Sequence, residues 1–283
     1  MKILITGGAG FIGLNIVDEL IKLGNTVSIV DNLSTGNEKN INKDAVFYMC
    51  NIRNKEMLDL VFKIEKPEVV IHNAAQIDVQ TSAAVYGNPN YLPVDEKHPI
   101  VPISFYGISK YTPEHYIKTY CKLNNINYTI FRYSNVYGIR QDPKGEGGVV
   151  SIFMSKFLNG EPPIIFGDGK QTRDFIYVKD VVKANILVLN KANNEILNIS
   201  TGVKTSINEL FYIMKDIFNS KVKSVHRKSR NGDILHGYLD NKLAMDRLHW
   251  KVEFKIKQGL EETIRYYFKI NDGYGEVATS KYI

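Results

Sequence analysis

Tyr106 and Lys110 stand four residues apart. On a helix this spacing puts both side chains on one face, about one turn apart, where a lysine cation favours the phenolate form of its neighbour. A tyrosine activated in this way can take a proton from an alcohol. Lowering its pKa from ~10 toward neutrality takes about 1.4 kcal/mol per unit, within reach of two adjacent cations. Y-x-x-x-K is common by chance, so its weight depends on its surroundings. Far upstream, Gly7, Gly10 and Gly13 form a G-x-x-G-x-x-G run. Glycine is needed where a backbone turns tightly, approaches a pyrophosphate and aims helix N–H groups at its charge. Asp31 follows about 20 residues on, where a carboxylate can accept hydrogen bonds from a ribose. Its charge repels a 2′-phosphate and no arginine follows it directly, which favours NAD over NADP.

These residues need elements to hold them. Lys2 to Thr6 reads as a buried strand, the glycine turn follows, and Ile16, Val17, Leu20 and Ile21 then repeat at helical spacing until Gly24. Thr26 to Val30 and Val46 to Met49 read as the next strands, with Asp31 closing the first of them. Met57, Leu58, Val61 and Phe62 mark the apolar face of a second helix, and Val69 to Ile71 a fourth strand. Strands alternating with helices predict an α/β fold with a doubly wound parallel sheet. Beyond residue 138 a long polar, glycine-rich loop leads to a smaller α+β portion. Ser206 and Glu209 make a capping box before the stripe Ile207, Leu210, Phe211, Met214 and Ile217, and Leu260, Ile264 and Tyr267 mark a last helix. The expected organisation is a dinucleotide-binding domain over 1–138, with segments around 174–200 returning to it, and a substrate-binding portion over 139–283. Residues after about 270 read as a solvated tail.

Composition narrows the function classes. Within 283 residues, 36 Lys and Arg face 30 Asp and Glu, a net charge of +6. Both signs are scattered, so a small anionic substrate is expected rather than nucleic acid. No apolar run approaches the ~18–20 residues of a membrane span, and no secretory leader is visible, which makes a cytoplasmic protein the default. Cys50 and Cys121 lack the paired spacing of a zinc site, so no metal is expected and both thiols read as reduced and structural.

Longer stretches carry a family resemblance. Thr6-Gly-Gly-Ala-Gly-Phe-Ile-Gly13, Asp31-Asn-Leu-Ser-Thr-Gly36, His72-Asn-Ala-Ala-Gln76, Ser82-Ala-Ala-Val-Tyr-Gly87 and Tyr106-Gly-Ile-Ser-Lys110 are followed by Arg132-Tyr-Ser-Asn-Val-Tyr-Gly138, by Gly167 to Val178 and by Arg230-Asn-Gly-Asp233. In this order, over nearly the whole chain, they resemble the extended short-chain dehydrogenases/reductases, and among them the NAD-dependent UDP-glucose 4-epimerases. The resemblance implies a Rossmann-type fold, NAD as cofactor and a UDP-sugar as substrate.

It also implies roles residue by residue. Tyr106 would be the base, Lys110 its cation and Ser82 a hydroxyl that shares the sugar oxygen and relays the proton. Gly7, Gly10, Phe11, Ile12, Gly13, Asp31, Asn32, Ser34, Thr35, Gly36, and the run Asn73, Ala74, Ala75, Gln76 would line the cofactor site, with Ser134 on the same side. Asn51 and Ile52 stand where the family usually has an aspartate that holds adenine; asparagine keeps an acceptor and adds donors. Asn135, Gly148 and Val149 would contact the nucleotide sugar, Arg173 and Arg230 would clamp its diphosphate, and Asp233 would join them.

Neighbouring positions separate the relatives. Sugar-nucleotide dehydratases and decarboxylases of this kind keep acidic residues directly after the serine, and here stand Ala83 and Ala84, which argues against elimination or decarboxylation. Gly237 stands where hexose-restricted epimerases tend to have a bulky tyrosine, so the N-acetylated pair is an expected substrate beside UDP-glucose and UDP-galactose. The same residues would also serve another NAD-using oxidoreductase of nucleotide sugars, or a homologue that binds without turnover. The last outcome follows from one departure. Between Ile71 and Tyr106 no amphipathic helix fits, although parallel strands need a crossover of about a dozen residues or more, so one helix-strand unit near residue 81 is expected to be missing. The family's homodimer packs that helix together with the Tyr106–Lys110 helix. Pro113 is expected to remove one hydrogen bond near the start of the latter.

Overall fold

A computed structural model describes residues 1–75, 82–142, 147–191, 193–229 and 234–272. They fall into two compact units, Met1–Asp78 with Val181–Ala192, and Val79–Asp180 with Asn193–Ile283.

The first unit follows the predicted alternation: β1 (Lys2–Thr6), α1 (Phe11–Lys22), β2 (Thr26–Asp31), β3 (Val46–Met49), α2 (Lys55–Glu65) and β4 (Val69–His72). The strands make a parallel sheet in the order β3-β2-β1-β4, with Ile3 beside Val27 and Val69. Ile3, Leu4, Ile5, Val27, Ile29 and Val30 are buried as near-continuous runs, as expected of a sheet covered on both faces. Leu14, Ile16, Val17 and Leu20 give α1 its buried stripe. The reading of α2 needs correction. Val61 is buried with Leu58 packed beside it, whereas Met57 and Phe62 are exposed. Each stands one position outside the Leu58–Val61 seam, about 100° around the helix, which a two-turn apolar pattern does not separate from the face itself.

In the second unit α3 (Phe105–Asn124) leads to β5 (Thr129–Tyr133) and β6 (Asn135–Tyr137), then α4 (Val149–Leu158), β7 (Ile164–Phe166), β8 (Thr172–Arg173) and β9 (Phe175–Tyr177). Helix α5 (Val178–Leu187) passes from the second unit's segment into the first. The rest is β10 (Glu195–Ile199), β11 (Thr205–Ser206), α6 (Ile207–Ile217), β12 (Val225–Arg227), α7 (Lys242–Leu248) and α8 (Ile256–Asp272). Strand pairs β5–β10, β6–β9 and β7–β12 are parallel, and β8–β11 is antiparallel. The capping box forms: Glu209 N–H donates to Ser206 Oγ at 3.1 Å and Ser206 N–H to the Glu209 carboxylate at 2.7 Å. Ile207, Leu210, Phe211 and Met214 are buried behind it. Among the described residues no helix is long and apolar enough to cross a membrane.

Candidate active site

The glycine loop is built by close approach. Gly7 has φ +70°, and a Cβ there would stand 2.5 Å from the Ala74 nitrogen; one on Gly13 would stand 2.3 Å from the Gly7 carbonyl oxygen. Both glycines are therefore required by the turn that brings α1 against the end of β1. Gly10 caps α1 without a side chain, leaving the first-turn N–H groups aimed outward with the positive end of the helix dipole. Asp31, the last residue of β2, accepts from Ala9 N–H at 3.0 Å through one oxygen and from Leu33 N–H at 2.8 Å through the other. Each carboxylate oxygen keeps acceptor capacity for a ribose hydroxyl. The loop beyond it folds back: Ser34 N–H donates to Asn32 Oδ1 at 3.1 Å, and Gly36 lies against Ala9. Thr35 stands within that loop.

On the other side of β1, Thr6 Oγ1 and His72 Nδ1 are 2.7 Å apart, and Asn73 N–H donates to the Thr6 carbonyl at 2.9 Å. Asn73 Nδ2 is buried and meets no acceptor among the described residues. A buried amide donor left unpaired is unfavourable by about 1–3 kcal/mol, and an oxygen-rich ligand seated on the glycine loop would relieve it. Asn51 uses its Oδ1 on Arg53 N–H at 3.0 Å, so its NH₂ remains for a ligand, and Ile52 packs under it against Cys50 and Val61. The cradle, the capping acid and the orphaned amide fit a dinucleotide. Ala75 ends this stretch, and Gln76 lies outside the described residues.

The second unit holds the Tyr106–Lys110 pair. Ser104 caps α3, its Oγ accepting from Gly107 N–H at 3.1 Å, so Tyr106 and Lys110 fall in the first two turns. The Lys110 ammonium lies 5.1 Å from the centre of the Tyr106 ring. Both are half-buried, and burial lowers the Lys110 pKa from its ordinary 10.5. Pro113 is carried within α3, which runs on to Asn124. Ser82 opens a 3₁₀ turn, Ser82–Tyr86; its side chain lies outside the described residues. The segment it begins does reach β5 and β10, through Tyr86.

Substrate-side expectations divide. Asn135 begins β6, and its Nδ2 donates to the Asp174 carbonyl at 3.2 Å, leaving its Oδ1 for a ligand. Gly148 and Val149 form the N-terminus of α4. Arg173 lies half-buried on β8 and donates to the Thr172 carbonyl at 2.9 Å. Gly237 N–H reaches the same carbonyl at 3.2 Å, so position 237 lies beside the strand that carries Arg173. Among the described residues, a Cβ on Gly237 would meet nothing nearer than Ile234 at 3.9 Å. Arg230 and Asp233 lie outside the described residues. The Ser134 hydroxyl is directed to the Asp174 carboxylate at 3.2 Å. Asp174 was not expected at all: buried among Ser134, Thr201 and Gly202, it fixes the strand end from which Arg173 and Asn135 are held. Among the described residues no group of three or more potential metal ligands occurs.

A glycine loop between β1 and α1, an acid closing β2 and a Tyr-x-x-x-Lys pair on a helix define an extended short-chain dehydrogenase/reductase. The profile of the NAD dependent epimerase/dehydratase family matches residues 3–84 and 80–200, and the chain belongs to that family. It is 49% identical over 300 residues to a Methanocaldococcus jannaschii protein with a provisional assignment as UDP-glucose 4-epimerase, covering 93% of this chain and 97% of that one. The crystal structure of Thermotoga maritima UDP-glucose 4-epimerase with UDP-glucose is similar at a TM-score of 0.93 and 39% identity, over 95% of this chain and 99% of that one. A UDP-N-acetylglucosamine 4-epimerase from Methanobrevibacter ruminantium, solved with UDP-N-acetylmuramic acid, follows at 0.89 and 31%, over 95% and 98%.

Proposed function

We propose that the protein is an NAD-dependent 4-epimerase of UDP-hexoses, interconverting UDP-glucose and UDP-galactose through a 4-keto sugar. The observation that carries this is the Tyr106–Lys110 pair on the face of α3, in a chain whose other unit presents a dinucleotide cradle. Bound NAD would supply the hydride acceptor and donor for C4. Gly7, Gly10, Gly13, Asp31 and Asn73 would hold it. Tyr106, as phenolate beside the Lys110 cation, takes the proton of the sugar 4-hydroxyl, with Ser82 sharing that oxygen and relaying the proton. The ketone must then present its other face before Tyr106 returns the proton. Asn135, Gly148, Val149, Arg173, Arg230 and Asp233 hold the nucleotide end, guanidinium groups suiting a diphosphate. With Ala83 and Ala84 after Ser82 there is no carboxyl to expel a C6 hydroxyl.

That nothing among the described residues crowds Gly237 supports turnover of the N-acetylated pair as well, and the likeness to an epimerase of UDP-N-acetylglucosamine points the same way. The reading further has the chain lacking one helix-strand unit near residue 81. It is supported by a family match in two stretches that meet at residues 80–84, and by an alignment of 300 positions that a chain of 283 cannot fill. On the same reading the family's homodimer loses one of its interface helices with that unit, while Phe105, Tyr116 and Leu123 remain exposed along one stripe of α3. Purified protein incubated with UDP-glucose, with products separated by anion-exchange chromatography, tests the activity: UDP-galactose should accumulate to a fixed ratio, and its absence from protein carrying NAD would refute the assignment.

A further inference from the structure

Among the described residues, the most buried ion pair of the second unit is Arg132 with Glu114, one turn beyond Lys110 on α3. Arg132, on β5, donates to both carboxylate oxygens of Glu114, at 3.0 and 2.7 Å, and its third nitrogen donates to the Tyr86 hydroxyl at 2.9 Å. Tyr86 in turn donates to Asn198 Oδ1 at 2.8 Å. Asn198, on β10, donates through Nδ2 to the carbonyls of Val94 and Asp240, and its N–H meets Glu96 at 2.7 Å. Arg132, Glu114, Tyr86 and Asn198 are all buried, Asn198 completely. The guanidinium also stacks on the Tyr86 ring at 4.8 Å.

The group joins three pieces of backbone. Tyr86 ends the turn that Ser82 begins; Glu114 lies on α3 one turn beyond Lys110; Arg132 and Asn198 lie on the paired strands β5 and β10. Turn and helix touch at the other end too, because a Cβ on Gly107 would stand 2.6 Å from the Ala84 carbonyl oxygen. The turn is thus pinned to α3 beside Tyr106 by close backbone approach and, two residues farther on, by Tyr86 through Arg132 and Glu114. A buried bidentate ion pair fixes distance and angle together, and breaking one partner leaves a stranded charge, so the arrangement has little freedom to slide. Although burial opposes the charge on Arg132, its bonds to Glu114 and Tyr86 outweigh that and raise its pKa.

We propose that Tyr86, Arg132 and Glu114 are positioning residues for the epimerisation: they clamp the Ser82–Tyr86 turn onto the first turns of α3 and so hold the backbone of that turn in register with the Tyr106–Lys110 pair. This rests on the epimerase reading, in which misplacement of such groups by about 1 Å lowers turnover about a hundredfold. Tyr86→Phe keeps the ring and deletes the hydrogen bonds; Glu114→Gln keeps the shape and deletes the charge.

Hydrogen exchange and steady-state kinetics on the whole protein test the clamp together. In both variants, amides of residues 83–87 and 105–110 should exchange at least about tenfold faster while β1 to β4 are unchanged. The kcat for UDP-glucose should fall at least about tenfold, with KM and bound NAD within about twofold of wild type. Unchanged exchange in those two segments overturns the inference, as does unchanged kcat in an active enzyme. Acceleration spread evenly through the second unit overturns it as well, since the network is then a general support of the fold. A wild-type protein without epimerase activity defeats the functional reading instead, and the exchange arm still decides whether the clamp exists.

Discussion

The Lys110 ammonium sits 5.1 Å from the centre of the Tyr106 ring, one helical turn along α3 and partly removed from solvent. That contact puts a positive charge against the ring, where it favours loss of the phenolic proton, and it makes the tyrosine hydroxyl the first group to delete. In Tyr106→Phe the ring still packs beside Lys110, so fold and cofactor site remain. Turnover of UDP-glucose should fall by about 10²- to 10⁴-fold, the range for a positioned acid-base group, while the absorbance of bound NAD is unchanged. Steady-state assays with spectra of the purified protein check both halves.

Burial lowers the Lys110 pKa from 10.5, and the sign of its pH dependence follows. Between the lowered folded value and 10.5 the unfolded chain binds more protons at this site than the folded one, so its contribution to stability rises with pH across that window. Catalysis runs the other way, because losing the cation raises the cost of the phenolate. Activity should therefore decline on the alkaline side at lower pH than an exposed lysine would give. Lys110→Arg keeps a charge that is not lost in this range, and its alkaline limb should move to higher pH. A kcat/KM profile for both proteins measures the displacement.

Asn73 Nδ2 is a buried donor without an acceptor among the described residues, which ties stability and cofactor binding in opposite directions. Asn73→Ala removes the unpaired group and should raise the thermal midpoint of NAD-free protein. It should also weaken NAD binding about fivefold to tenfold, the size of one hydrogen bond. Calorimetric titration of NAD and thermal melts of stripped protein report the two effects separately.

Among the described residues nothing crowds Gly237. Wild-type protein should turn over both UDP-glucose and UDP-N-acetylglucosamine. Gly237→Tyr should lower kcat/KM for the N-acetylated sugar by about 10- to 100-fold, as expected when about 1–3 kcal/mol of overpacking is introduced, and leave UDP-glucose within about twofold. Side-by-side kinetics on the two sugars settle it, and a wild-type protein inactive on the N-acetylated sugar would remove the pocket argument.

Much of the first unit was legible because its signals are local. The run Lys2–Thr6, the glycine turn and the acid at position 31 fix β1, α1 and the end of β2 from neighbours alone, and Ser206 with Glu209 announces α6 by its capping box. The limits are equally physical. Met57 and Phe62 look apolar in one dimension and lie outside the buried seam of α2 in three. Arg132 meets Glu114 across 18 positions, and Tyr86 across 46, separations that no periodicity encodes. Asp174 carries no local signal of its role, because Ser134 and Thr201 reach it only through the β6–β9 and β5–β10 pairings. Most site residues were reached through family motifs; what the structure adds is which of them are held, and by what.

The central claim is that C4 is oxidised and reduced within one active site, by a hydride that never leaves the protein. UDP-glucose deuterated at C4, converted in ordinary water and analysed by mass spectrometry and NMR, tests it directly. The UDP-galactose formed should keep its deuterium at C4, apart from a small loss when the ketone escapes. Replacement of that deuterium by solvent hydrogen during normal turnover would contradict the account.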